Sequence, residues 1–350
     1  MHVGLLIHGS LDRLTGGTLY DRKLVESLRA QGDQVTVVSL PERSYLASLA
    51  DNASAALATR INRAGFDVLL QDEVIHPSVF RLNRRLDVPI VAIVHLLRIS
   101  QHWPWWQRPI YRAIEKRYFE SVDGLVCVNP SIRERIRNLI GDLPPTVIAS
   151  PAGDHSTADI DDETIHRRAH EGPLRLLFVG NLSPLKNLHL VIEALGRMSS
   201  DDWQLDVYGS AVGAYGRRIK RRITQLGLND RITLHGQVPQ PVVLQALRNG
   251  HVLVMPSDPE SYSIAYLEAM SWGLPVIAHR ASDSAALITP GENGYRVDNP
   301  DALAEHIMRL GRDRDQLSDM SIAARAFFTR HATWAASMGR VRVFLLESWA

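Results

Sequence analysis

The stretch Glu260-Ser-Tyr-Ser-Ile-Ala-Tyr-Leu-Glu268 sets two carboxylates eight positions apart where a strand gives way to a helix. Upstream, Val252-Leu-Val-Met-Pro256 reads as a short buried strand closed by proline. Downstream, Ala265-Tyr-Leu-Glu-Ala-Met-Ser-Trp-Gly273 combines helix formers with a glycine at the C-terminal cap position. On one helix, residues eight apart would point roughly 80° away from each other. The pattern instead leaves Glu260 in the loop and puts Glu268 one to two turns into the helix. The intervening amides then form a helix N-terminus, which favours an anionic ligand. A phosphate on those amides, with a polyol on each side, would engage all three elements, so the stretch reads as a nucleotide-sugar site.

Working outward, apolar runs alternate with helical patterns on both sides of a break. In the first half Val3–His8, Val35–Leu40, Asp67–Gln71, Pro89–Val94 and Gly124–Val128 read as strands, with a helix from about Thr18 to Gln31. Around Asp154–Gly172 the apolar signal gives way to acidic, His-rich and Arg-rich sequence, read here as a linker. A second series follows: Leu174–Val179, Trp203–Tyr208, Ile232–His235, Val252–Met255 and Pro275–Ala278. Strands alternating with helices argue for α/β domains with parallel sheets, and near-continuous apolar strands for sheets covered on both faces. Open sheets of this kind bind ligands at their carboxyl ends.

The chain has 350 residues, enough for two domains that each bury a core. Its 39 Lys and Arg balance 38 Asp and Glu, so no global field favours nucleic acid. The single cysteine, Cys127, excludes an intramolecular disulfide framework and fits a reducing cytoplasm. It lies in a buried-strand pattern and reads as an inert core thiol. No secretory signal precedes the first strand, and no apolar run nears the roughly 20 residues that span a bilayer.

The pieces Pro256-Ser257, Glu260-x7-Glu268-Ala-Met and Gly273-Leu-Pro-Val-Ile-Ala278 resemble the donor-site signature of retaining family 4 glycosyltransferases. Gly16-Gly17, Val94-His95, Val179-Gly-Asn-Leu-x3-Lys186-Asn187, Leu205-Asp-Val-Tyr-Gly209 and His235-Gly-Gln-Val238 follow in the family's order over nearly the whole chain. The resemblance implies the GT-B fold, two Rossmann-like domains facing across a cleft whose hinge closure would exclude water. It assigns residues 1–153 to an acceptor-side domain, 154–172 to the linker and 173–333 to the donor domain. The terminal helix, about 334–350, would pack back on the first domain.

The resemblance implies transfer of a hexose from a uridine or guanosine diphosphate sugar to a hydroxyl acceptor with retention, a phosphate oxygen of the leaving group taking the acceptor's proton. Glu268 would bind ribose hydroxyls, and Glu260 would lie near the donor sugar. The amides of Tyr262, Ser263 and Ile264 would touch sugar or phosphate, and Gly236 and Val238 would meet the base through the backbone. Lys186 is the cation for the diphosphate, since a fixed ammonium stabilises charge that grows as the glycosidic bond breaks. Asn181 stands where the family commonly has an arginine and brings no charge; Arg280 or Arg217 would have to compensate. Gly16 and Gly17 open the backbone to a phosphate, although they form neither a dinucleotide fingerprint nor a P-loop. His95, at a strand's carboxyl end, would hydrogen-bond the donor sugar or the reacting centre.

Two Asp-x-Asp triplets, Asp159-Ile-Asp161 and Asp313-Arg-Asp315, read as solvated charges, so neither a metal nor any other cofactor is expected. Asp72, Glu73 and His76 follow a strand end and are candidate acceptor contacts. The run His102-Trp-Pro-Trp-Trp106, flanked by Arg98, Arg108 and Arg112, leaves three readings open. Trp103 and Trp105 could meet an acceptor sugar, anchor at a membrane interface, or pack as loop core. The rivals to a transferase are a catalytically silent nucleotide-sugar-binding partner, encouraged by Asn181, and an epimerase of the same fold.

Overall fold

The computed structural model describes all residues except Leu14, 155–158, Asp201, 211–212 and Ala350. They form an N-terminal unit, Met1–Pro151 with Ala332–Ala350, and a C-terminal unit, Ala152–His331. Each is built on one six-stranded sheet.

In the N-terminal unit the strands are β1 (His2–His8), β2 (Gln34–Leu40), β3 (Val68–Asp72), β4 (Ile90–Val94), β5 (Gly124–Cys127) and β6 (Thr146–Ile148). They run parallel in the order β2-β1-β3-β4-β5-β6, with Val3 opposite both Val35 and Val68. Every residue of β3, β4 and β5 is buried, which explains their unbroken apolar sequences. Cys127 is among them, and burial pushes its thiol up to about 12, leaving it inert. The helix Trp334–Trp349 packs on this unit: Arg342 pairs with Asp33 at 2.6 Å, Ser337 donates to the Ser150 carbonyl, and Trp334 meets the Tyr20 ring edge-on.

In the C-terminal unit the strands are β7 (Leu174–Val179), β8 (Trp203–Tyr208), β9 (Ile232–Gly236), β10 (Val252–Val254), β11 (Val276–His279) and β12 (Gly294–Val297). They are also parallel, in the order β12-β11-β10-β7-β8-β9. Strands β6 and β12 escape the sequence pattern for a physical reason. Both are edge strands of three or four residues, too short for a period to show.

The stretch read as a linker needs correction. Residues 155–158 lie outside the described residues, but Asp162–His170 is a helix of the C-terminal unit. Asp161 caps it, accepting from the Thr164 amide at 2.8 Å, and Asp313 caps the helix Arg314–Arg330 in the same way. Both Asp-x-Asp triplets thus supply a helix cap. Ile165 is fully buried, and the buried Arg168 donates to the carbonyls of Arg248, Trp272 and Gly273. Its charge made the segment look solvated, whereas the guanidinium serves as an internal cap for orphan carbonyls. Among the described residues no helix is long and apolar enough to cross a membrane.

Candidate functional site

In the C-terminal unit the chain runs outward from β7 through β8 to β9, then returns to β10 on the other side. The switch point lies between β7 and β10, where open α/β sheets take ligands. The loops leaving these two strands carry Lys186 and Glu260. Asp258 donates its amide to the Leu185 carbonyl at 2.8 Å, and the Asn187 side chain donates to the Pro256 carbonyl at 2.9 Å. Asn187 adopts a left-handed backbone (φ 53°), which asparagine tolerates better than most residues, and so ends the short turn Pro184–Lys186. The Glu260 carbonyl is held from the far side by Ser282 at 2.7 Å and the Ser284 amide at 3.0 Å. Lys186 Nζ then donates to Glu260 Oε2, with the two side chains 28% and 16% exposed.

The helix Ile264–Ser271 begins immediately after this loop, so Glu260 is in the loop and Glu268 lies in the second turn, half-buried. Ser263 occupies the N-cap without a side-chain cap hydrogen bond. Gly273, with φ +67°, lets the chain leave the helix and return as β11. The Tyr262 hydroxyl is engaged with His331, so what Tyr262 offers a ligand is its backbone. Gly236 ends β9 and accepts from Gly209, and Val238 is half-buried just beyond. Asn181 accepts from the Ser210 amide at 3.3 Å, pinning the loop after β8. Of the suggested compensating arginines, Arg280 pairs with Asp298 at 3.4 Å, and Arg217 is exposed on the helix Gly213–Gln225.

A second polar cluster lies at the carboxyl ends of β3 and β4 in the N-terminal unit. His95 Nε2 meets Asp21 Oδ1 at 3.2 Å, while Glu73 accepts from the backbone amides of His95 at 2.9 Å and Leu96 at 3.4 Å. Burial would depress the imidazole, but the hydrogen bond and charge of Asp21, joined by Asp72 and Glu73, raise it to about 9. Desolvation raises Asp72 to about 6 and lifts Glu73 well above the carboxylate range. Asp21, Asp72 and His95 form a group of potential metal ligands within 4.8 Å of one another. Asp21, through its hydrogen bond and charge, is the chief partner that keeps this imidazole protonated at neutral pH.

Gly16 and Gly17 form the first turn of the helix Gly16–Ala30, capped by Thr15, rather than the loop before it. A Cβ on Gly17 would stand 3.3 Å from His95 Cδ2, so this glycine lets the helix start close against the imidazole. Asp21, on the same helix, escaped the sequence reading. Its signal was a carboxylate on the buried stripe of Tyr20, Leu24, Val25 and Leu28.

The acceptor candidates divide. Asp72, Glu73 and His76 are buried, not displayed on a polar loop. His76 is bonded to the Glu73 carbonyl at 2.8 Å and the Tyr45 hydroxyl at 3.0 Å, and burial drops it to about 3. Glu73 spends its carboxylate on two backbone amides. Through these hydrogen bonds Glu73 and His76 brace the chain that follows β3. Trp103 is half-buried against Arg98, whereas Trp105 is 81% exposed.

Comparison with known proteins gives these units a context. The profile described as "Glycosyl transferases group 1" matches residues 160–327, and "Glycosyl transferase 4-like domain" matches residues 20–151. D-inositol 3-phosphate glycosyltransferase of Paenarthrobacter aurescens is 31% identical over 288 residues, 77% of this chain and 68% of that protein. Its counterpart in Arthrobacter is 32% identical over 258 residues, 69% of this chain, which spans 61% of that protein's length. Phosphatidyl-myo-inositol mannosyltransferase of Mycobacterium leprae is 27% identical over 367 residues, covering 96% and 94% of the two chains.

Among solved structures, sucrose-phosphate synthase from Thermosynechococcus elongatus superposes with a TM-score of 0.84 at 19% identity, covering 99% of this chain and 98% of that one. HepE of Anabaena, solved with UDP-glucose, gives 0.78 at 16% identity over 99% and 100%. At such identities these two establish the fold, GT-B. With the profiles and the inositol-phosphate relatives added, the chain belongs to the family 4 glycosyltransferases.

Proposed function

We propose that the chain is a retaining hexosyltransferase that uses a nucleoside-diphosphate sugar and a hydroxyl acceptor. The observation that carries this reading is the Lys186–Glu260 pair, clipped together at the switch point beside an eight-residue helix start. An arriving diphosphate competes with Glu260 for the ammonium, and the freed carboxylate turns to sugar hydroxyls. As the anomeric C–O bond breaks, charge grows on the diphosphate oxygen that leaves, and Lys186 meets it there. The acceptor hydroxyl attacks the same face and passes its proton to a phosphate oxygen of that leaving group. Glu268 is assigned to the ribose, the amides of Tyr262, Ser263 and Ile264 to sugar or phosphate, and Gly236 and Val238 to the base. In the N-terminal unit, His95 is assigned to hydrogen bonding with a sugar.

UDP-glucose in HepE makes a uridine donor the first to test, and the inositol-based names among the relatives favour a polyol acceptor bearing a phosphate. We assign the reaction to the cytoplasm and to a metal-free mechanism. Asn181 is the one observation that favours a silent binding partner. Calorimetric titration of chelator-treated protein with UDP, GDP and their sugars should give binding to one nucleotide series. Transfer of radiolabelled sugar to inositol phosphates, assayed with chelator present, should follow. Binding without transfer across a broad acceptor panel would favour the silent partner, and the absence of any nucleotide binding would refute both readings.

A further inference from the structure

Seven large hydrophobic side chains of the described residues are exposed, and five of them are Leu46, Val74, Trp105, Trp106 and Ile110. The segments bearing these five meet at one aromatic cluster. Tyr45 and Tyr111 contact edge-on at 4.9 Å, and His76 lies 5.5 Å from Tyr45. The Arg98 guanidinium stands 4.3–4.6 Å from the rings of Trp103, Tyr45 and Tyr111. The loop after Arg98 is therefore clamped. Trp103 donates to the Arg98 carbonyl at 2.9 Å, Arg108 to the Trp103 carbonyl at 3.1 Å, and the buried Glu115 accepts the amides of Arg98 and Ile99.

A rigid loop that holds its tip in water is unusual, because the same clamp could have folded the tryptophans inward. Trp105 and Trp106 are nevertheless 81% and 57% exposed, and Ile110 on the following helix is 51% exposed. The charge around them has one sign. Arg108, Arg112 and Arg117 are exposed on the helix Arg108–Phe119, while its one carboxylate, Glu115, is buried. The next acid, Glu120, pairs with Lys116 at 2.7 Å.

We propose that this tip docks the N-terminal unit on an anionic lipid bilayer, with Trp105, Trp106 and Ile110 in the headgroup region and the arginines on lipid phosphates. Tryptophan suits the water–hydrocarbon boundary, where its ring is buried and its N–H stays wet. Neither signal alone holds a protein to a membrane firmly; an apolar wedge combined with a basic patch does. A sugar-binding tryptophan would instead line a concavity with polar partners, and Trp105 stands clear of the surface.

The test is co-sedimentation of the full chain with vesicles of phosphatidylcholine alone and of equimolar phosphatidylcholine and phosphatidylglycerol. Binding should be confined to the mixed vesicles and fall with salt. W105S/W106S and R112Q/R117Q should each weaken it by roughly tenfold or more, with unchanged thermal unfolding, since all four side chains are exposed. Brominated lipid should quench the fluorescence of the wild type more than that of W105S/W106S. Equal vesicle binding by W105S/W106S, or none by the wild type, would overturn the proposal. A dimer that W105S/W106S dissociates, without vesicle binding, would overturn it in favour of a contact between copies.

Discussion

Each unit sets a cation against carboxylates at strand carboxyl ends, but the two clusters differ in their access to water. Lys186 and Glu260 are partly exposed and stand on loops held by backbone hydrogen bonds, so their own pairing is not what keeps the loops in place. Asp21 and Glu73 are 0% and 4% exposed, and His95 depends on them for its proton. An exposed pair can trade one partner for a ligand at little cost, whereas a buried one loses several kcal/mol when a partner is removed. The first arrangement suits binding and release of a charged substrate. The second fixes the position and protonation of a single imidazole.

The largest effect expected from breaking this contrast lies in the open pair. Lys186→Ala should lower kcat on the order of 100-fold or more, as loss of a group that meets growing charge does. Its urea unfolding curve should stay within about 1 kcal/mol of wild type, because a partly exposed ion pair contributes little. A variant that unfolds readily while retaining its turnover would reverse the roles assigned to the two clusters.

Asp21→Asn addresses the buried cluster and should do the opposite, destabilising the N-terminal unit by about 3 kcal/mol at neutral pH. NMR titration should show the His95 imidazole falling from about 9, since burial alone depresses it. The same imidazole dictates a pH dependence. Its folded value is raised, so its stabilisation is complete below the ordinary histidine value of 6.5 and is lost as pH climbs through about 9. Wild-type stability should decline across that window, and the decline should flatten in Asp21→Asn. A parallel decline in both proteins would remove His95 as its source.

The smallest effect is expected from Gly17→Ala. The added methyl would press on His95 at 3.3 Å, a contact that a few tenths of an ångström of movement relieves. Turnover should fall several-fold with a stability change of about 1 kcal/mol. An unchanged rate would show that the imidazole tolerates displacement.

Much of the fold was legible, because buried parallel strands write themselves as apolar runs and Glu268 follows the phase of its helix. The switch-point loops were legible too, through Lys186 and Glu260. What escaped depended on contacts between distant backbone and side chain. That the Glu73 carboxylate takes the amides of His95 and Leu96 was not legible, because nothing local announces it. His76 looked exposed because its partner Tyr45 comes from another segment. Asp21 was hidden among helix residues that were read for periodicity alone. Asn181 was identified as the departure from the family, and its engagement with Ser210 appears only in three dimensions.

Arg168 has a consequence for dissecting the chain. Its guanidinium takes up carbonyls at Arg248, Trp272 and Gly273, and the neighbouring Ile165 fills the space above Gly273. A C-terminal fragment started at the first strand, Leu174, would leave those carbonyls without a donor and strip apolar cover from the turn that follows the helix carrying Glu268. Started before Asp161, it would retain its own cap and lid. The practical boundary of the C-terminal unit therefore lies a helix upstream of where hydrophobicity places it.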